Sequence, residues 1–183
     1  MKKTLLLTIA LLLSVTLFSQ SVGTIVKETF DSDEMPEGWK ITGNNSQNWS
    51  VSKSNFCGGE PNEMMLSWQP TFYNGFTRLT SPMLDLTGVD SILVAFKDYV
   101  DIYTTYPSTI GIATSSTNGM NWTVCYEETF YSDGRHNISK VISGKDMNKN
   151  NVMVAIFYNG NSANLNAIYF DDVEITTIED VNA

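Results

Sequence analysis

A single histidine, eleven basic residues and two cysteines are a thin supply of the residue types that carry most catalysis, nucleic-acid binding and disulfide scaffolding. The histidine, His136, lies in the polar run Asp133-Gly134-Arg135-His136. No serine sits in a Gly-x-Ser-x-Gly elbow, and Cys125 has no nucleophile context around it, so the sequence offers no acyl-transfer triad. The adjacent acids Glu127 and Glu128 would face opposite ways on a strand and would not frame one glycosidic bond. A hydrolase is therefore the least favoured reading, and a protein that binds without catalysing is expected.

The shortage of bases is equally informative. Twenty acids oppose eleven bases, for a net charge of −9, and no two bases adjoin except Lys2 and Lys3. That excludes a nucleic-acid partner and fits a solvated exported surface or a chain that binds divalent cations. Long apolar runs are also missing. The run Thr4 to Phe18 has 15 residues, short of the roughly 20 needed to span a bilayer. Preceded by Lys2-Lys3 and followed by Ser19-Gln20-Ser21, it reads as a signal peptide over residues 1–20, with a single domain over 21–183. Loss of Lys2 and Lys3 would move the net charge from −9 to −11. The chain is expected to be exported with no membrane span after cleavage, with the cell surface, the medium and the periplasm all open. In such a compartment Cys57 and Cys125 either bridge or stay as two thiols, and spacing leaves both open.

What the chain has in quantity is β-formers. Stretches rich in Thr, Val, Ile, Tyr and Phe recur between Gly, Asn, Asp, Ser and Pro clusters, and no convincing amphipathic helix interrupts them. This is the pattern of an all-β sandwich. Strands are expected at 24–30, 39–42, 49–51, 64–68, 77–80, 91–100, 109–114, 122–126, 137–141, 152–158 and 167–175. The run 91–100 should be central, Asn118-Gly119 should turn a hairpin, Pro82 should mark an edge or bend, and 152–158 should pair with 167–175 as a closing hairpin.

The last of these strands carries Asp171 and Asp172 inside an apolar run. Burying a carboxylate is costly unless a counter-charge or metal offsets it, so this strand is a candidate wall of a cation site. Strand alternation puts the two acids on opposite sides, with Asp171 beside Tyr169, Val173 and Ile175 and the better candidate for burial. Backbone donors or a base such as Lys27 would be the alternative to a metal.

The succession Glu28-Thr29-Phe30-Asp31, Met35-Pro36-Glu37-Gly38-Trp39, Leu79-Thr80-Ser81-Pro82 with Leu84-Asp85-Leu86, Thr114 to Trp122, and Phe170-Asp171-Asp172-Val173 resembles the cleaved-adhesin, or choice-of-anchor J, domains of secreted Bacteroidetes proteins. Those are jelly-roll β-sandwiches of two antiparallel sheets, similar to MAM domains and to several carbohydrate-binding modules. The resemblance implies a structural calcium ion (Ca2+) held near Glu28, Asp31, Asp171 and Asp172. It also implies an adhesin-like role with a glycan, or a host or matrix protein, as ligand. The alternative is an accessory module that supports a surface or secreted partner and reads no ligand. Trp39, Trp49 and Trp122 fall at positions that look like core. For recognition the aromatic supply includes Trp68, Phe72, Tyr73, Tyr103, Tyr106, Phe130 and Tyr131, of which Trp68, Tyr73, Tyr103, Tyr106 and Tyr131 lie in or beside expected loops, where binding residues concentrate.

Overall fold

The computed structural model describes residues 23–103 and 107–178. The expected signal peptide and Tyr106 lie outside the described residues. Eleven strands and two single 3-10 turns make up the described chain. The strands are β1 (Thr24–Glu28), β2 (Lys40–Gly43), β3 (Trp49–Ser52), β4 (Glu63–Ser67), β5 (Phe76–Thr80), β6 (Ser91–Ile102), β7 (Ser108–Ser115), β8 (Thr123–Phe130), β9 (Gly134–Ser143), β10 (Met153–Asn159) and β11 (Leu165–Ile178).

They form two antiparallel sheets. One has the order β3-β4-β11-β6-β9, with β1 also paired to β11, and the other has the order β2-β5-β10-β7-β8. The 14-residue β11 is the backbone of the first sheet, because it pairs along its length with β6 while its beginning pairs with β4 and its end with β1.

Alternation explains why these segments settle as they do. Along β6, Ile92, Val94, Phe96, Val100 and Ile102 are buried inward, while Leu93, Ala95, Lys97 and Tyr99 stand on the outer face. The two inner faces interdigitate into one core. Trp49 stacks on Phe170 with ring centroids 5.6 Å apart. Its indole N–H donates to the Thr77 hydroxyl of the opposite sheet at 2.7 Å, which gives the buried tryptophan the partner it needs. Gly111 is required by a close approach: a β-carbon there would stand 2.3 Å from Phe157 Cζ and from the Tyr126 carbonyl oxygen.

One expectation is corrected and one open alternative is narrowed. The strands β10 and β11 do not pair with each other, since they lie in different sheets and the chain between them crosses the sandwich. A hairpin and a crossover have the same local sequence requirements, so the polar connection could not distinguish them. The cysteines are free rather than bridged. Cys57 packs outside the first sheet against Ala167 and Tyr169, whereas Cys125 lies on β8 at the edge of the second.

Candidate functional site

The chain ends do come together as expected, with Glu28 on β1 opposite Val173 on β11. What alternation did not foresee is a bulge between Asp171 and Glu174, where Asp172 takes a left-handed φ of 48°. Core-facing residues run Ile168, Phe170, then Val173 and Ile175, so one extra residue is absorbed at the acids. Asp171 therefore faces outward with Tyr169, and it does not share a side with Val173 and Ile175. The bulge also cancels the opposite facing of the two acids. Asp171 Oδ2 and Asp172 Oδ2 lie 3.5 and 3.8 Å from the position a β-carbon would take on Gly59, whose φ of 136° favours glycine.

Asp171 is nevertheless buried, because the loop from Ser54 to Asn62 folds over the outer face of the sheet there. Glu63, fully buried at the start of β4, accepts hydrogen bonds from the Phe56 and Cys57 amides at 2.7 and 2.8 Å. Lys97 Nζ donates to the Gly58 carbonyl at 3.2 Å and pairs with Asp172 Oδ2 at 2.5 Å. The Phe56 ring lies 4.8 Å from Tyr169 and 5.3 Å from Tyr99. Burial pushes the Asp171 carboxyl up to about 7, the Asp172 amide donating at 2.7 Å works against this, and the like charges of Asp172, Glu63 and Asp31 raise it further. Lys27 is not its partner; it stands opposite Glu174 on β11.

These residues fit a cation in charge. A buried carboxylate among other acids is held ionised by a cation, and Lys97, paired to the neighbouring Asp172, supplies that charge only in part. Its fit in position is looser, since among the described residues no group of three or more acid, histidine or cysteine side chains is already closed around one point. Glu28 Oε1 instead accepts from the Phe30 amide at 2.9 Å, and Asp31 Oδ2 accepts from the Thr29 hydroxyl at 2.7 Å. Glu63 was missed by sequence reasoning, which had no signal that an acid closing a polar loop would turn inward.

The aromatic residues divide. Phe72 and Phe130 are buried in the core with Trp39 and Trp49, whereas Trp122, expected there as well, is half-buried beside Arg78, because it sits in the turn before β8 and not on an inward strand position. Tyr73 and Tyr131 are 74% and 69% exposed and line none of the clefts described here. Trp68, 39% exposed, and Tyr103, 70% exposed, converge on one cleft of about 340 Å³ with Ala163, Leu165 and Asn166. Sheet order makes this pairing. β11 runs between β4 and β6, so the ends of both neighbours meet its beginning. Backbone bonds hold the rim: the Trp68 amide donates to the Asn166 carbonyl at 3.4 Å and the Tyr103 amide to the Asn164 carbonyl at 3.1 Å. The Asn166 side-chain amide donates to Asp101 Oδ1 at 2.8 Å, leaving amide and carboxylate groups beside two rings and a leucine floor.

The structure also shows a core-facing acid whose signal was legible. Period-two alternation puts Asp98 on the side of Phe96 and Val100, and it is fully buried. Its Oδ1 lies 2.6 Å from His136 Nδ1, while Oδ2 has no partner. Burial raises the carboxyl to about 6, the His136 contact opposes this, and Glu128 adds to it. Glu128 itself is exposed and accepts from the Tyr126 hydroxyl, and Glu127 is exposed beside it.

Among solved structures, a cleaved adhesin domain of Lys-gingipain from Porphyromonas gingivalis superposes with a TM-score of 0.61 at 16% identity, over 82% of this chain and 96% of that one. The fold is the cleaved-adhesin jelly roll. The same fold is shared by TmCBM61, solved in complex with β-1,4-galactotriose, with a TM-score of 0.54 at 14% identity over 81% of this chain and 93% of that one. It is shared too by the CBM22-1 xylan-binding domain of Paenibacillus barcinonensis Xyn10C, with a TM-score of 0.57 at 10% identity over 89% and 99%. No family model and no curated protein matches the sequence. Among the described residues of this cleaved-adhesin fold, no helix is long and apolar enough to cross a membrane.

Proposed function

We propose that this chain is an exported, non-catalytic binding module that recognises glycans through the Trp68–Tyr103 cleft. The observation that carries the reading is the convergence of two exposed rings on one cleft with Asn166 at its rim and the Asp101 carboxylate bonded to that amide. A pyranose has an apolar face that stacks on an aromatic ring and a polar rim that amide and carboxylate groups orient. Support comes from solved modules of the same fold, one in complex with β-1,4-galactotriose and another a xylan-binding domain.

A calcium ion bound at the junction of β1 and β11 belongs to the same proposal. Asp171, Asp172 and Asp31, with neighbouring backbone carbonyls, would hold it, and Glu63 and Glu28 would stay on their amides. The ion would add positive charge beside the buried Asp171, taking the place of Lys97 on Asp172, and it would fasten the Ser54–Asn62 loop to the sheet. Its role is structural.

A glycan array followed by titration calorimetry tests the reading. Reproducible binding of at least one neutral oligosaccharide is expected, lost on Trp68→Ala or Tyr103→Ala with the melting temperature unchanged. Silence across the array, or binding that survives both substitutions, would overturn it and leave the accessory role or a protein ligand.

A further inference from the structure

Phe56 is 44% exposed, yet the chain that carries it is pinned on both sides. Its amide donates to the fully buried Glu63 at 2.7 Å, and its carbonyl accepts from Arg135 Nε on β9. The ring lies within 19° of parallel to that of Tyr99 at 5.3 Å and rests against Tyr169 at 4.8 Å. A near-parallel stack covers one face of a ring, so the exposure of Phe56 falls on the other face, which is turned away from the sheet. The two hydrogen bonds are to the backbone and would hold any side chain at this position. The flat apolar face is therefore an addition to what the loop needs.

This ring stands in line with the Trp68–Tyr103 cleft. Tyr99, which supports it, lies opposite Tyr169, and both face outward. Two residues further along the strands, Ala167 of β11 sits between Ser67 of β4 and Asp101 of β6 on the same face. Asp101 accepts from the Asn166 side chain of the cleft at 2.8 Å, and just past this row stand Trp68 and Tyr103 themselves. The ground between the two aromatic ends is thus two small side chains and one carboxylate, low and able to accept hydrogen bonds. Four residues of strand separate Tyr99 from Tyr103, roughly 13 Å at ~3.3 Å per residue, which exceeds one pyranose ring and suits a short chain of them. Arg135, opposite Tyr99 on β9, balances Asp101, so the strip favours neither sign of charge.

We propose that Phe56, stacked on Tyr99, is a second aromatic subsite, and that the ligand is a linear neutral oligosaccharide laid along the outer face of the first sheet from the Trp68–Tyr103 cleft across Asp101. The inference rests on the reading of that cleft as a glycan site and adds the length and path of the chain: several consecutive sugar units are read, not one terminal sugar.

Titration calorimetry of the full chain with β-1,4-linked galactose, xylose and glucose oligosaccharides, each from disaccharide to hexasaccharide, tests this. In at least one series the affinity should rise about tenfold or more with length, because the second contact is tethered by the first. Phe56→Ala should weaken the hexasaccharide about fivefold, the loss of one stacked ring, and leave the disaccharide unchanged. Phe56→Leu keeps an apolar cover over Tyr99 and Tyr169 but has no flat face. It should restore the melting temperature without restoring hexasaccharide binding, which a merely structural role for Phe56 would not produce. Equal affinity at every length, hexasaccharide binding by Phe56→Leu at the unsubstituted level, or an equal loss at all lengths in Phe56→Ala would overturn the inference while leaving the cleft itself a glycan site. Failure of every length in all three series to bind would overturn both readings.

Discussion

Asp98 Oδ1 meets His136 Nδ1 at 2.6 Å across β6 and β9, on the inner face of the sandwich, and no other hydrogen bond reaches that carboxylate among the described residues. Removing one member of a buried pair leaves the other uncompensated. His136→Ala should therefore destabilise the fold by about 3 kcal/mol in urea denaturation, the lower end of the range for a buried pair because the imidazole is partly exposed. The double substitution Asp98→Asn with His136→Ala should recover part of that loss. Equal stability of the single and double variants would show that the carboxylate is not the source.

Asp171 sets a pH dependence whose sign follows from its raised ionisation. A carboxyl at about 7 in the folded chain, against an ordinary value of 3.8, binds protons more tightly folded than unfolded. Metal-free protein should thus lose stability as the pH rises from about 4 to 7 and change little on this account above 7. Asp98, raised to about 6, acts in the same direction. The melting temperature at pH 5 should exceed that at pH 8 by a few degrees, about 1 kcal/mol or more in a domain of this size. Asp171→Asn should flatten the slope. Calcium added at pH 8 should raise the melting temperature and a chelator should lower it; no response to either would remove the cation from the proposal.

Gly111 lets the Phe157 ring lie against β7, and a methyl group there would meet both that ring and the Tyr126 carbonyl. Gly111→Ala should cost about 1–3 kcal/mol or more, since one of the clashing atoms is backbone and cannot swing aside. Chemical denaturation measures it, and a change below about 0.5 kcal/mol would contradict the packing described.

The thiols should behave differently. Burial and the neighbouring Glu63 push the Cys57 thiol up, which suppresses the reactive thiolate. Both cysteines should titrate in urea without a reductant, and in the folded chain iodoacetamide should modify Cys125 well before Cys57. Glu63→Ala, which releases the Phe56 and Cys57 amides, should speed labelling of Cys57. No titratable thiol in urea would mean that the two are bridged.

Much of the architecture was legible because strand patterning is local. The alternation from Ile92 to Ile102 placed β6, Asn118-Gly119 placed the β7–β8 hairpin, and Pro82 ended regular pairing, leaving one isolated bridge from Leu84 to Val152. The meeting of Glu28 with the last strand was legible too, through the order of motifs. Sequence patterning failed where one residue changed the phase. A bulge at Asp172 moved Asp171 to the outer face, and local sequence gives a bulge no distinct mark.

The sequence by itself determined that this is an all-β chain, acidic, poor in catalytic groups and rich in aromatic residues, because composition and period-two alternation are properties of the chain alone. Only the tertiary structure decided which of those residues act together. Trp68 and Tyr103 share a cleft because β11 lies between β4 and β6. Asp171 is buried because a distant loop covers it. Arg78 is flanked by Phe76, two residues away, and Trp122, 44 residues away. Such meetings depend on strand order and on the crossing between sheets, and the free energy of the whole sandwich sets them rather than any segment's own preference.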